Sequence, residues 1–395
     1  MRLSGKKVLI TGATGFVGGR LAERLSLSKK NIKVRGLVHN LSHASRLARL
    51  PVEMVHGDVT SLDSMRNAVN GCDIVIHCAI GTRYVAVKGT ENTIKAALEH
   101  DVERFIHISS VAVYSYSPKE GVNEESDYRY SGDAYCDSKI DSEKIAFQYH
   151  TNENLPLVVL QPTAIFGPYA MSYTIRPINM LKNRNYYVLI DGGNSPSNAV
   201  YIDNVIDAIE LAIKEDNAIG HSFIISDDKL VTWKQFFTAY AKMFHNPPTL
   251  LNLSSKEVEI ERSKQRKEIL KEILFNPEKL LELLPIIARE SKSLRFIAYS
   301  LINNPSLENK LTMLDSHLPD ALREKIETHY RSIFKDRSIS SFDRVPSDSG
   351  IEIFTSKVQF PIKKAREKLG YRPGVSFEEG MKLTEKWLKY QRLIS

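Results

Sequence analysis

Tyr135 and Lys139 stand four residues apart in the run Tyr135-Cys136-Asp137-Ser138-Lys139. On an α-helix that spacing puts both side chains on one face. A free phenol titrates near ~10 and carries protons poorly at neutral pH. A neighbouring ammonium favours the phenolate and lowers that value. A tyrosine so placed can trade a proton with a secondary alcohol or ketone while a hydride moves to or from a nicotinamide. The spacing alone decides little, because Tyr84 and Lys88 repeat it and an ordinary surface pair would look the same. Position separates the two pairs. Tyr135 follows an apolar run ending in Ser109-Ser110, where two hydroxyls could meet a carbonyl oxygen, and Tyr84 precedes that run.

A second chemical signal lies near the start of the chain. Thr-Gly-Ala-Thr-Gly-Phe-Val-Gly, Thr11 to Gly18, follows the apolar run Lys7-Val8-Leu9-Ile10. Gly12 would permit a tight turn, Gly15 a close approach of backbone to a pyrophosphate, and Gly18 close packing of a helix on the strand. The helix that follows would offer free N–H groups and a positive dipole end to an anion. A flexible loop would also be glycine-rich, so the surrounding elements must decide.

Those elements alternate. Strands are predicted at Val8–Ile10, Val34–Val38, Val52–His56, Ile74–His77, Arg104–Ile108 and Leu157–Leu160. Helices are predicted at Val17–Ser26, Ser42–Leu50, Leu62–Asn70, Lys88–Leu98 and Ala134–Gln148. Buried apolar runs alternating with helices imply an α/β fold, a Rossmann-type doubly wound parallel sheet with both faces covered. The glycine loop falls between the first strand and the first helix, as a dinucleotide site requires. Beyond Phe166 the pattern breaks at turns such as Gly192-Gly193-Asn194-Ser195-Pro196. Strand, helix and strand return at Ala199–Ile202, Asp203–Ile213 and Ser222–Ile225. Ile351–Phe360 reads as extended and Phe377–Lys389 as a closing helix. The organisation expected is a dinucleotide-binding domain over 1–165, completed by about 199–226. A small C-terminal substrate lobe takes 166–198, 227–253 and 345–395, and an α-helical insertion occupies 254–344. The insertion is rich in Leu, Glu, Lys and Arg at helical spacing and broken at Pro277, Pro285, Pro305 and Pro319. Leu280–Ile302 mixes apolar residues with Arg289, Lys292 and Arg295, which suits a packed subdomain, a lid, an oligomer interface or a membrane-surface helix.

The composition is that of an ordinary globular protein, and 395 residues are ample for two domains. No long uncharged span predicts an integral membrane segment, and the glycine loop interrupts the only early apolar run, so no leader is expected. Cys72, Cys78 and Cys136 form no metal-binding or disulfide pattern, which fits a cytoplasmic protein. The net charge of +7 is spread out rather than gathered into blocks, which excludes the usual nucleic-acid signature. The partners expected are a small-molecule substrate and a second copy in a homodimer.

Taken in order, these motifs resemble the extended short-chain dehydrogenase/reductase family, which contains NAD-dependent epimerases and dehydratases. TGATGFVG matches its TGxxGxxG, HGDVTSLDSM its GDxxD segment, DIVIHCA its DxVxHxA strand and VKGTENTIKAA its V-x-G-T helix. ISSVAVYS matches the serine strand, YCDSK the active-site helix, LQPTAIFGP the L-R-P-x-x-x-x-G-P turn and LGYRP the closing LGY-x-P. The resemblance covers roughly 7–237 and resumes near Ile353. It implies that Ser110 hydrogen-bonds the substrate oxygen, that Tyr135 is the general acid/base, and that Lys139 lowers the phenol's pKa and holds the nicotinamide ribose. It implies a cofactor site of Gly12, Thr14, Gly15, Phe16, Val17 and Gly18 in the loop, and His39, Asn40 and Arg46 around the end of the second strand. Asp58 and Val59 would flank adenine. Cys78, Ala79 and Ser109 would line the pyrophosphate and ribose path, and Pro162 and Ile165 would meet the carboxamide.

Departures from the family narrow the chemistry. Its dehydratases carry an acidic pair directly after the active-site Ser/Thr, its decarboxylases an acid and its two-carbon epimerase-reductases a cysteine. Here Val111 and Ala112 follow Ser110, and neither moves a proton. Sugar-nucleotide enzymes commonly read a diphosphate with an asparagine in the L-R-P-x-N turn and an arginine before a later strand. Ala164 replaces the first, and Ser195–Tyr201 contains no arginine. Several motifs stand closer to the hydroxysteroid dehydrogenase and dihydroflavonol reductase branch. An NAD site usually places an acid at the end of the second strand. Here that end is Leu37-Val38-His39-Asn40, so NADP or NAD is expected, with the missing acid and nearby Arg46 weighing toward NADP. Cys136 reads as a small buried residue, His77 as a packed strand end, and no metal is expected. An oxidoreductase of a secondary alcohol or ketone is the leading function. A sugar-nucleotide 4-epimerase with retained NAD needs the same three residues, and a catalytically silent dinucleotide-binding scaffold needs none of them.

Overall fold

The computed structural model describes residues 1, 3–264 and 346–394. Its strands are β1 (Lys7–Thr11), β2 (Lys33–Val38), β3 (Val52–His56), β4 (Ile74–His77), β5 (Arg104–Ile108), β6 (Leu157–Pro162), β7 (Ala164–Phe166), β8 (Tyr186–Ile190), β9 (Ala199–Tyr201), β10 (His221–Ile225) and β11 (Thr249–Leu253). The helices used below are α1 (Phe16–Ser26), α2 (Leu62–Val69), α3 (Arg83–Glu99), α4 (Ala134–Glu153), α5 (Arg176–Arg184), α6 (Ile202–Lys214), α7 (Trp233–Ala241), α8 (Asp348–Thr355), α9 (Lys363–Leu369) and α10 (Phe377–Tyr390). Seven strands form one sheet in the order β10-β6-β5-β4-β1-β2-β3, parallel throughout. The order reverses between β1 and β4, and the crevice beyond the carboxyl ends of such a pair is where open α/β sheets bind ligands.

The central strands are buried on both faces, which is why they read as unbroken apolar runs. On one face, Met65 and Ala68 of α2, Ile94 and Ala97 of α3 and Ala146 of α4 pack with Leu9, Val75, Phe105, Leu157 and Val159 of the sheet. Elsewhere α1 meets α6 through charge: Arg20 Nε donates to Asp203 at 2.6 Å.

The chain divides into two compact units. One comprises Met1–Asn185, Asn194–Thr249 and Ser356–Ser395, and the other Tyr186–Gly193 and Leu250–Thr355. Every candidate catalytic and cofactor residue lies in the first. There the closing segment is fastened by Asn198, whose Nδ2 donates to the Val358 carbonyl at 2.9 Å while its Oδ1 accepts from Phe360 N–H at 3.1 Å. In the second unit β8 pairs with β11, and Val188, Ile190 and Val258 form a small core with Ile351 and Phe354.

Two sequence expectations are corrected. Ser42–Leu50 is not one helix but two single 3₁₀ turns, Leu41–His43 and Leu47–Arg49. Ser42 N–H donates to Asn40 Oδ1 at 2.9 Å and closes the first turn. Only Ala44 and Leu47 are buried in the stretch, too few for the apolar stripe that sustains a helix. Ile351–Phe360 is not extended throughout, because α8 runs through Thr355. Its β-branched and aromatic residues suggested a strand, but Ile351 and Phe354 sit at helical i, i+3 spacing and pack together into the core of their unit. Most of the insertion expected at 254–344, including Leu280–Ile302, lies outside the described residues, and 255–264 are helical. Among the described residues no helix is long and apolar enough to cross a membrane.

Candidate active site

The glycine loop sits at the carboxyl end of β1, on the reversal point of the sheet. Gly12 adopts φ +65°, and a Cβ there would lie 2.8 Å from the backbone of Cys78 and Ala79. A Cβ at Gly18 would lie 2.4 Å from the Gly12 carbonyl oxygen. These two glycines are demanded by the fold. Gly15 differs, since its Cβ would meet only that same oxygen, at 3.1 Å, and otherwise points into open space. Gly15 caps α1 without any side-chain hydrogen bond. The first-turn N–H groups of Phe16, Val17 and Gly18 are therefore left for an outside acceptor. Thr14 is half-buried on the same loop. This cradle fits a dinucleotide pyrophosphate.

The surrounding candidates are disposed along the same edge. Ala79 N–H donates to Thr11 Oγ1 at 3.3 Å, which fixes Cys78 and Ala79 against the loop. His39 is exposed and 3.7 Å from the Asp58 carboxylate. Asp58 Oδ1 accepts from Thr60 N–H at 2.8 Å, and the Val59 carbonyl accepts from Asn92 Nδ2 at 3.1 Å. Asn40 holds its own turn. Arg46 is engaged on α1, where its guanidinium donates to Glu23 at 2.8 Å and lies 4.2 Å over the Tyr169 ring. A 2′-phosphate would compete with Glu23 for it. Pro162 ends β6 and Ile165 is half-buried in β7.

α4 brings the catalytic candidates together. Asp133 caps it, accepting from the N–H groups of Tyr135 and Cys136 at 3.0 and 3.2 Å, a contact worth about 1 kcal/mol. This cap sets where the helix starts and so where Tyr135 and Lys139 project. Ser110, just beyond β5, caps the short turn Val111–Tyr114 by accepting from Ala112 N–H at 3.2 Å. Burial pushes the Tyr135 phenol up, and the nearby Ser110 side chain pulls it back. The residue's 43 % exposure limits the push. The expected lowering by Lys139 is not the governing influence here: the Lys139 ammonium donates to the Ile108 carbonyl at 2.8 Å and lies 6.0 Å from the Tyr135 ring. The control pair behaves otherwise. Tyr84 is exposed, and Lys88 is paired with Glu91 at 3.0 Å.

Sequence reasoning missed the surroundings of Lys139. Burial brings its pKa down to about 8, against support from Cys78 and Glu143. His77 is wedged between Thr11 (2.9 Å from Nδ1) and Thr90 (3.1 Å from Nε2) and stacks on His107 at 5.7 Å. Burial lowers His77 to about 3 and holds His107 well below its usual range, so both are neutral neighbours. Burial pushes the Cys78 thiol up to about 12 and Cys136 likewise, so neither is a thiolate nucleophile. Glu143 is fully buried one turn beyond Lys139. Its signal was present, because a charged residue continuing the Tyr135, Lys139 face must meet the interior.

Comparison with known proteins bears on the family and the fold. The model of the 3-beta hydroxysteroid dehydrogenase/isomerase family matches residues 9–249. An uncharacterized protein, YbjS of Escherichia coli (strain K12), is 23 % identical over 97 % of this chain and 98 % of its own length. A sterol-4-alpha-carboxylate 3-dehydrogenase (decarboxylating) of Candida albicans is 27 % identical over 56 % of this chain and 71 % of its own. Among solved structures, the UDP-glucuronic acid 4-epimerase of Bacillus cereus in complex with UDP-glucuronic acid and NAD aligns with a TM-score of 0.65 at 18 % identity, covering 98 % of this chain and 99 % of that one.

Proposed function

The chain belongs to the 3-beta hydroxysteroid dehydrogenase/isomerase family, within the extended short-chain dehydrogenases/reductases, and we propose that it is an oxidoreductase of a secondary alcohol or ketone. A bound nicotinamide dinucleotide supplies or accepts the hydride. In the reducing direction the Tyr135 hydroxyl gives its proton to the carbonyl oxygen, and the Ser110 hydroxyl steadies that oxygen. Lys139 favours the phenolate left behind and holds the ribose. The Gly12, Gly15 and Gly18 cradle takes the pyrophosphate, with Asp58 and Val59 beside the adenine.

The observation that carries this reading is Tyr135 and Lys139 on one face of α4, the ammonium 6.0 Å from the phenol ring, with only Val111 and Ala112 following Ser110. No further acid or base stands there to eliminate water or a carboxyl group. A sugar-nucleotide 4-epimerase would use the same three groups. Against it stand the alanine at 164 and the lack of an arginine in Ser195–Tyr201. The dinucleotide is NAD or NADP; His39 and Asn40, at the end of β2, would hold its adenine ribose, and Arg46 is shared with Glu23. Mass spectrometry of the purified protein under native conditions tests the reading. An empty site, or one exchanging with added NADPH or NADH, supports the oxidoreductase, and tightly retained NAD supports the epimerase.

A further inference from the structure

Tyr135, Lys139 and Glu143 follow one another at four-residue steps along one face of α4. Glu143 is wholly buried. Gln161 Nε2, from β6, donates to its two carboxyl oxygens at 3.1 and 3.0 Å, and the Tyr128 hydroxyl donates to Oε2 at 2.8 Å. Gln161 is itself set by Tyr114, whose hydroxyl donates to its Oε1 at 2.9 Å. Every contact on Glu143 is a donor aimed at a carboxyl oxygen. Burial pushes the Glu143 carboxyl up, and the bonds from Gln161 and Tyr128 together with the Lys139 charge pull it back toward the ionised form. All these donors are neutral. A buried carboxylate without a cation is costly, and the positive charge that acts on Glu143 is the Lys139 ammonium.

Lys139 has the mirror-image need. It is buried, and its one direct partner is the neutral Ile108 carbonyl. The titratable groups facing the pair from other elements are Cys78 after β4, His77 in β4, His107 in β5, Tyr114 in the turn after β5 and Tyr128 ahead of α4. At neutral pH the thiol, both imidazoles and both phenols are uncharged. Among the described residues Glu143 is then the one anion acting on the ammonium.

We propose that Glu143 is the buried counter-charge of Lys139, a positioning residue that keeps the ammonium protonated beside Tyr135. The catalytic significance rests on the function proposed above, but the charge coupling does not. The test is heteronuclear NMR of the full chain carrying lysine labelled with carbon-13 at Cε, followed from neutral to strongly alkaline pH. The resonance missing from Lys139→Met identifies Lys139. Its midpoint in the wild type is expected below those of the surface lysines. In Glu143→Gln, which keeps the shape of the side chain, that midpoint should fall by on the order of one further pH unit. Gln161→Arg should lower it as well, because a guanidinium beside Glu143 cancels the same charge, and this gives a second route should Glu143→Gln fold poorly. Tyr114→Phe removes a bond of the network without altering charge and should leave the midpoint in place. An unchanged Lys139 midpoint in folded Glu143→Gln and Gln161→Arg overturns the proposal. So would an equal fall in Tyr114→Phe, which would trace the effect to packing. Turnover by Tyr135→Phe bears on the catalytic assignment alone, so the two ideas can fail separately.

Discussion

Valine at Gly15 and valine at Gly12 should fail in opposite ways. At Gly12 the backbone is left-handed (φ +65°) and a Cβ would press on Cys78 and Ala79 at 2.8 Å. A left-handed conformation costs a residue with a Cβ about 1–2 kcal/mol, and forcing extra atoms into packed structure costs about 1–3 kcal/mol. Gly12→Val should therefore lose roughly 2–5 kcal/mol of stability, a large share of what holds a domain together. At Gly15 φ is −82° and only the Gly12 oxygen, at 3.1 Å, lies near the new Cβ. The stability cost there should stay near ~1 kcal/mol, the scale of a poor N-cap. The branched side chain would instead fill the space over the first-turn N–H groups, where the pyrophosphate is proposed to bind. Loss of affinity for NADH and NADPH should exceed tenfold, more than ~1.4 kcal/mol. Urea unfolding gives the first quantity and calorimetric titration with each dinucleotide the second. Wild-type affinity in a folded Gly15→Val protein would refute the phosphate-cradle reasoning.

Lys139→Met should lose activity and abolish a rise of urea resistance with pH that the wild type shows. Folded Lys139 titrates near 8 rather than 10.5. Between those values the unfolded chain binds more protons, so wild-type stability rises with pH, and in Lys139→Met this rise should be absent; an equal rise in the mutant would count against the buried ammonium. Asn198→Ala deletes both bonds to the closing segment and should cost about 1–3 kcal/mol, with faster amide exchange at Phe360 as the local readout. Unchanged exchange at Phe360 would show that the segment is fastened by other contacts.

The alternating strands and helices were legible because a parallel sheet buried on both faces leaves continuous apolar runs, as at Ile74–His77 and Leu157–Pro162. Pattern failed where local chemistry overrode it. Asn40 closing a turn on Ser42 broke the helix expected after β2, and Ile351 with Phe354 turned a strand-like run into a helix. The candidate triplet of Ser110, Tyr135 and Lys139 was suggested by motif order and the family resemblance. Its tuning could not be read that way, because Gln161 and Tyr128 come to Glu143, and Tyr114 to Gln161, from three separate parts of the chain. Nor does spacing show that Arg46, a reasonable partner for a 2′-phosphate, is shared with Glu23 and Tyr169.

The central claim is that Tyr135 moves the proton when hydride crosses to or from a carbonyl carbon. The direct measurement is oxidation of NADH and NADPH by the purified protein across a panel of ketones, repeated with Tyr135→Phe and Tyr84→Phe. Removing the Tyr135 hydroxyl should cut the rate by on the order of 10²–10⁴ while dinucleotide titration stays unchanged, and Tyr84→Phe should match the wild type. Turnover by Tyr135→Phe close to the wild-type rate, or an equal loss in Tyr84→Phe, would contradict it.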